Sequence, residues 1–253
     1  MLIDTHAHIN DERLLPHAES IALSMPQDNL SHIINVGYDR ESSETAFTLA
    51  ARYGKMFAAV GIHPHDAKSA TQDDYDRFCA MAKDPKVVAY GEIGLDYYYD
   101  LSDRATQKKV FCEQLELAQG LKKPVIIHLR DAYSDMLSLL KNNPTKLEYG
   151  FVLHCYSGSA EMVREFAKLE AYFSFGGAVT FKNANKEPVV RAVPKEKLML
   201  ETDCPYMTPV PYRGKDNYPK YISLVSDKIQ QWFPDRDIPQ LTSGNARRFF
   251  KLV

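Results

Sequence analysis

Leu2-Ile3-Asp4-Thr5-His6-Ala7-His8 opens the chain with a short apolar run that ends in His-x-His. Side chains on an extended strand alternate between faces, so His6 and His8 project the same way and can hold one metal ion between them. Two histidines two positions apart are a weak signal by themselves in a chain that has 8. Their weight comes from the later apolar runs, which also end in a histidine or a carboxylate.

The next such run, Ser31-His32-Ile33-Ile34-Asn35-Val36-Gly37, reads as a second strand. Ala46, Leu49, Ala50 and Tyr53 then recur at helical spacing, and that helix stops at Gly54. Phe57-Ala58-Ala59-Val60-Gly61 is a third strand, followed by Ile62-His63-Pro64-His65, where the proline breaks extended geometry and a loop is expected. Thr71-Gln72-Asp73-Asp74 has the form of a helix-entry cap, and Asp84-Pro85 closes that helix. Val87-Val88-Ala89-Tyr90-Gly91 leads into Glu92-Ile93-Gly94-Leu95-Asp96, and a helical stripe through Phe111, Leu115, Ala118 and Leu121 leads to Pro124-Val125-Ile126-Ile127-His128.

Phe151-Val152-Leu153-His154, Tyr172-Phe173-Ser174-Phe175-Gly176-Gly177 and Leu198-Met199-Leu200-Glu201-Thr202-Asp203 continue the alternation, with Met162, Val163, Phe166 and Ala167 at helical spacing between the first two. A final amphipathic helix uses Tyr221, Val225, Ile229 and Trp232, and Phe249-Phe250 is expected to pack a last short helix down. About eight strands, each followed by a helical pattern, predict an α/β fold with a parallel sheet, specifically a (β/α)8 TIM barrel. A length of 253 residues suits one such barrel, so residues 1–253 are expected to form a single domain.

With 45% hydrophobic and 25% charged residues, the composition is that of an ordinary globular protein. A formal charge of −2 excludes a generally basic, DNA-coating surface, so any nucleic-acid contact has to be local. No apolar run approaches the roughly 20 residues of a membrane helix, and a strand beginning at Leu2 leaves no room for a signal peptide. A cytoplasmic monomer without membrane contact is the expectation. Cys79, Cys112, Cys155 and Cys204 lack CxxC spacing and read as reduced thiols. Alternation from the neighbouring ligand positions turns Cys155 and Cys204 toward the layer between strands and helices.

In a parallel barrel all strands end at one face, so residues distant in sequence meet at one mouth. His6, His8, His63, His65, Glu92, His128, His154 and Asp203 all fall at or just past such ends, whereas His17 and His32 are expected in helix or mid-loop. Taken singly, Glu92 reads equally well as a cap or ion-pair carboxylate, and His128 as a satisfied core histidine. Their joint placement favours a site. His6, His8, His128 and His154 with Glu92 and Asp203 exceed the three protein ligands of one catalytic ion. They suit two divalent cations with Glu92 as the bridge. Imidazoles lean toward Zn or Mn, and carboxylates also accept Mg. His63 and His65 are expected behind the ligands or against substrate.

These motifs resemble the TatD-type metal-dependent deoxyribonucleases, a branch of the amidohydrolase superfamily of distorted TIM barrels. The resemblance is carried by Ile3 to His8, Gly61-Ile62-His63-Pro64-His65, Gly91 to Tyr97, Pro124 to His128, His154-Cys155-Tyr156-Ser157-Gly158, Glu201-Thr202-Asp203, Arg213-Gly214-Lys215 with Asn217, and Asn245. It implies that His6, His8, Glu92 and Asp203 hold one ion, that Glu92, His128 and His154 hold the second, and that Arg213 and Lys215 lie near the substrate phosphate. It further implies DNA as substrate, cleaved in the manner of a 3'-5' exonuclease by a hydroxide that two metals activate, with Asp203 and Glu92 as the catalytic carboxylates. One departure is Cys204, where the family more often has a small Ser or Ala.

Independently of the resemblance, Tyr212-Arg213-Gly214-Lys215 follows a Pro-rich loop, where a guanidinium fork and an ammonium can pair with a phosphodiester. Arg213 and His65 are expected to neutralise its non-bridging oxygens. The same centre also suits an esterase or deacylase acting on an aminoacyl ester or lactone. His128 at the fifth strand end, in place of a lysine, disfavours the carbamylated-lysine members of the superfamily. A metal-binding scaffold without activity is the third reading.

Overall fold

A computed structural model describes residues 1–252. Eight strands run β1 (Leu2–Ala7), β2 (Leu30–Val36), β3 (Met56–Val60), β4 (Val87–Asp96), β5 (Val125–Arg130), β6 (Phe151–Leu153), β7 (Tyr172–Phe175) and β8 (Leu198–Leu200). They pair in that order, every pair parallel. The helices are α1 (Ala18–Ser24), α2 (Arg40–Arg52), α3 (Gln72–Met81), α4 (Arg104–Gly120), α5 (Tyr133–Asn142), α6 (Ala160–Ala167), α7 (Glu187–Ala192), α8 (Ile222–Trp232) and α9 (Ile238–Phe250). This is the (β/α)8 TIM barrel that the alternating pattern predicts. Among the described residues no helix is long and apolar enough to cross a membrane.

Local chemistry starts the helices where the sequence indicates. Thr71 accepts from the Asp74 amide and Asp74 accepts in return from the Thr71 amide, which closes a capping box at α3. Asp39 and Ser42 do the same at α2. Each such cap contributes about 1 kcal/mol.

Apolar side chains form two layers. The larger cluster lies between strands and helices and includes Ile33, Phe78, Phe111, Leu153, Phe166 and Ile229. The smaller fills the barrel with Ile3, Ile34, Val36, Ala59, Ala89, Ile126, Val152 and Met199, and Phe249 and Phe250 join it from α9. The last helix is therefore 13 residues long, longer than the short one expected, and its two phenylalanines stopper the barrel at the end remote from the strand C-termini. His32 is buried near the start of β2, where its place in the Ser31–Gly37 run puts it, and not in a helix or loop.

Strict alternation holds on β5 and β6. Ile126 and Val152 face the interior, Ile127 and Leu153 face the helices, and His128 and His154 return to the inside. It fails on β1 and β4. Ile3 is interior but Ala7 belongs to the outer cluster, and the β1–β2 register shifts between Asp4 and Ala7. On β4, Ala89 is interior while both Tyr90 and Ile93 are outer, with a register shift between them. Without these irregularities, alternation from Ile3 and Ala89 would aim His6, His8 and Glu92 at the helices.

The seam between β8 and β1 is made mainly at the mouth. The His8 amide donates to Cys204 O at 2.7 Å, the Asp203 amide to His6 O at 2.9 Å, and the Thr202 amide to the Asp4 carboxylate at 2.9 Å. Lower down, Thr5 Oγ1 donates to Leu200 O at 2.9 Å.

Candidate metal centre

Glu92 stands in the middle of the mouth with its two carboxylate oxygens turned to different neighbours. Oε2 lies 3.3 Å from His6 Nε2 and 3.7 Å from His8 Nε2. Oε1 lies 2.7 Å from His154 Nε2, 2.8 Å from His128 Nδ1 and 3.5 Å from His63 Nε2. Asp203 completes the first side, its Oδ1 3.5 Å from His8 Nε2 and 3.8 Å from His6 Nε2. His6 and His128 lie near the ends of β1 and β5, and His8, His63, His154 and Asp203 lie just past strand ends, whereas Glu92, expected at a strand end, stands in the middle of β4, which continues to Asp96.

Close approach of β4 to β5 makes this possible, and two glycines permit it. Gly91 has φ +151, and a Cβ there would meet Ile126 O at 2.6 Å; Gly94 has φ +156, and a Cβ there would meet His128 O at 1.9 Å. Neither position accepts an L side chain, and so the backbone that carries Glu92 lies directly against the one that carries His128. At the other seam Asp203 adopts the left-handed conformation at φ +58, held by the hydrogen bond its amide donates to His6 O. Aspartate tolerates that conformation better than bulky or β-branched residues do.

The charges are strongly coupled. Burial opposes ionisation of Glu92, yet the surrounding His154, His63 and His6 and the hydrogen bond from His128 hold its carboxyl well below the usual range. Asp203 is likewise lowered against its burial, chiefly by the hydrogen bond from His8 and then by the charge of His154. Burial and the neighbouring His128 push His63 down to about 3, leaving a neutral imidazole with a lone pair to share. His6 is lowered by burial and by His154.

Several groups hold the inner ring in place. His8 Nδ1 lies 2.9 Å from Val36 O, which leaves Nε2 for the centre. Asp96 Oδ2 accepts from His128 Nε2 at 2.9 Å and from His65 Nε2 at 3.0 Å, so that carboxylate turns His128 Nδ1 toward Glu92. Glu201 Oε1 lies 3.5 Å from His154 Nδ1 and accepts from the Cys155 amide. Carboxylates behind imidazoles of this kind set ring orientation and raise ligand basicity. Asp96 and Glu201 are absent from the residues expected from the sequence, although Asp96 shares the Glu92 stretch and lies one full alternation from Gly94.

The donor set fits divalent cations. His6 Nε2 and His8 Nε2 face each other at 3.1 Å while both also face carboxylates, and the buried His6 Nδ1 has no hydrogen-bond partner among the described residues. Three groups have their ligand atoms within 4.8 Å of one another: His6, His8 and Asp203; His6, Glu92 and His154; His63, Glu92 and His128. So many nitrogen and oxygen lone pairs aimed at one space are stabilised by a cation of the kind imidazole and carboxylate favour. His63, expected farther out, is thus gathered with the inner ring, and Pro64 begins a 3-10 helix (Pro64–Ser69) where a loop was expected.

The sequence matches the family described as TatD related DNase over residues 3–251. The chain belongs to the TatD family. It is 40% identical to the metal-dependent hydrolase YabD of Bacillus subtilis over 100% of both chains. It is also 34% identical to the 3'-5' ssDNA/RNA exonuclease TatD of Cronobacter sakazakii over 87% of each. Among solved structures, the TatD homologue YjjV of Escherichia coli K12 superposes with a TM-score of 0.93 at 28% identity, covering 100% of this chain and 98% of that one. The protein is accordingly a metal-dependent hydrolase of the TatD family, with histidine, glutamate and aspartate groups able to bind metal ions.

In this TatD-family chain the outer residues are less gathered than the ring. Arg213 and Lys215 lie exposed on the connection after β8, and the Arg213 guanidinium rests over the Phe181 ring at 4.1 Å. Cys204 lies in the outer apolar layer as alternation predicts. Cys155 does not. Its backbone is left-handed at φ +43, which breaks the alternation, and its thiol is pushed well up by burial and by the carboxylates of Asp203 and Glu201.

Proposed function

We propose that this metal-dependent hydrolase is a deoxyribonuclease that cleaves phosphodiester bonds with two divalent cations, working from 3' to 5' on a single strand. The supporting observation is the split engagement of Glu92, one oxygen toward His6 and His8 and the other toward His128 and His154. A carboxylate so placed suits bridging between two ions. When bound, such ions supply Lewis acidity and make water a nucleophile at neutral pH. The name of the Cronobacter relative supports nucleic acid as the substrate.

Each of the chain's own residues then has a task. His6, His8 and Asp203 form one side of the ligand set, His128 and His154 the other, and Glu92 joins them. Asp203 is the less enclosed carboxylate, its side chain 14% exposed against 5% for Glu92. Held ionised, it is the group to accept the proton of the attacking water. His63, next to Glu92, and His65, braced by Asp96, face the non-bridging oxygens, and Arg213 and Lys215 meet the phosphate from the connection after β8.

A metal-replete screen over labelled single-stranded DNA, duplex DNA, RNA, an aminoacyl ester and a lactone tests the reading. Single-stranded DNA is expected to be shortened from its 3' end, and chelation to abolish the activity. Asp203→Asn is expected to keep stoichiometric metal and lose about 10²- to 10⁴-fold in rate. Turnover confined to the ester or lactone would overturn the nuclease reading, and full DNA cleavage by Asp203→Asn would overturn the role of that carboxylate.

A further inference from the structure

Exposed aromatic side chains collect on connections that leave the mouth. Tyr98 and Tyr99, after β4, are 58% and 54% exposed, and Tyr206, after β8, is 46% exposed. Exposed rings scattered singly are ordinary, but rings gathered at the rim of a candidate metal centre mark a contact surface for a ligand. The two flanks differ in charge. Over Tyr206 sits Arg13 at 4.5 Å, but its guanidinium is already committed to Asp11 at 2.9 Å and to Asp216 at 3.7 Å. Over Tyr98 and Tyr99 sits Arg130, at 3.8 and 4.9 Å from the ring centres. Among the described residues this second guanidinium has neither a carboxylate partner nor a side-chain hydrogen bond.

Arg130 is two residues past His128 on β5, so alternation puts both side chains on the mouth side of the strand. The aromatic pair is anchored to the same place. Asp96 Oδ1 accepts from the Tyr98 and Tyr99 amides at 2.9 and 2.8 Å, while its Oδ2 accepts from His128 and His65. The Tyr99 ring also meets the His65 ring edge-on at 5.4 Å. One carboxylate therefore ties the backbone that carries the exposed rings to the imidazoles of the centre. Tyr98 and Tyr99 stand perpendicular at 4.9 Å, and the large exposure of Tyr98 leaves ring surface free beside the guanidinium.

We propose that Tyr98, Tyr99 and Arg130 form a nucleotide subsite beside the metal centre, the rings stacking a base of the substrate strand and the guanidinium pairing with its phosphate. Every base has a π-face, so stacking holds a strand without reading its sequence. A guanidinium that lies on an aromatic ring keeps its N–H edge free for a phosphate oxygen. A base buried in a duplex offers no face to the rings, so the subsite selects single strands. The inference rests on the nuclease reading and adds the residues that give it strand preference.

The test uses the metal-loaded protein with a cleavage-resistant phosphorothioate single strand that carries 2-aminopurine near its 3' end, and a matching strand abasic at that position. The wild type is expected to quench the 2-aminopurine fluorescence on binding and to bind the abasic strand about tenfold more weakly. Tyr98→Ala and Tyr99→Ala are expected to lose the quenching, to bind both strands alike and to raise KM for cleavable DNA about tenfold. Tyr98→Trp, which keeps an aromatic face, is expected to retain the quenching and the wild-type KM. Arg130→Ala is expected to flatten the slope of log Kd against log salt by about 0.7. Undiminished quenching in both alanine variants, or equal affinity of the wild type for the two strands, would overturn the subsite while leaving a nuclease that cleaves DNA. A wild type that turns over only a lactone or aminoacyl ester would instead show that the nuclease reading has failed, and the subsite with it.

Discussion

Strands β5 and β6 deliver His128 and His154 by unbroken alternation, whereas β1 and β4 deliver His6, His8 and Glu92 only after a register shift has turned the strand over. The two halves of one centre are thus built by different means. On the regular side, position along the strand settles where the side chain points. On the irregular side it depends on glycine backbone and on particular hydrogen bonds, and so that side is expected to be the more easily broken by substitutions that leave every proposed ligand in place.

The largest effect is expected where the halves meet. Glu92→Gln keeps the shape but removes the charge that faces both sets of imidazoles, and it is expected to lower turnover by about 10³-fold or more and to reduce bound metal in elemental analysis. Next, Gly94→Ala on β4 forces a Cβ into the His128 carbonyl at a φ of +156. A loss of about 3–4 kcal/mol in denaturant unfolding is expected, whereas Gly120→Ala, at the end of α4 with open space around it, is expected to change stability by no more than about 1 kcal/mol in the favourable direction. Equal effects at the two glycines would show that the close approach of β4 to β5 does not depend on Gly94.

Phe249→Ala removes part of the barrel's stopper and is expected to cost about 3 kcal/mol in the same assay while metal content stays stoichiometric, because the stopper and the mouth are at opposite ends. Asp96→Asn leaves His128 on its regular strand but weakens what orients its ring, and about 10- to 100-fold in metal affinity or activity is expected to go. Were Asp96→Asn as harmful as Glu92→Gln, alternation alone would be insufficient on the regular side too. The smallest change is expected from Arg213→Ala, a few-fold rise in KM for DNA with a shallower salt dependence, since that guanidinium lies exposed over Phe181.

Much of this centre was legible in the sequence because parallel barrels gather strand ends, so apolar runs ending in His128, His154 or Asp203 already point to a shared rim. The face each strand turns inward was less legible. His6 and His8 do point together, but only because the irregularity precedes both of them, and nothing in Leu2-Ile3-Asp4-Thr5 announces it. Pro64 suggested that His63 would lie outside the ring, yet the turn it begins leaves the His63 imidazole beside Glu92. Asp96 and Arg130 carried a usable signal, each lying two residues from a position already close to the ring, at Gly94 and His128. Glu201 carried less, because its partners His154 and Cys155 follow β6, which lies across β7 from β8.

The joint between Asp4 and Thr202 links residues 198 positions apart. Translation runs from the amino end, so His6 and His8 leave the ribosome long before Asp203 exists. A nascent chain therefore holds two of the six proposed ligands from its first residues, and the zipping of the final strand against the first both closes the cylinder and brings Asp203 beside them.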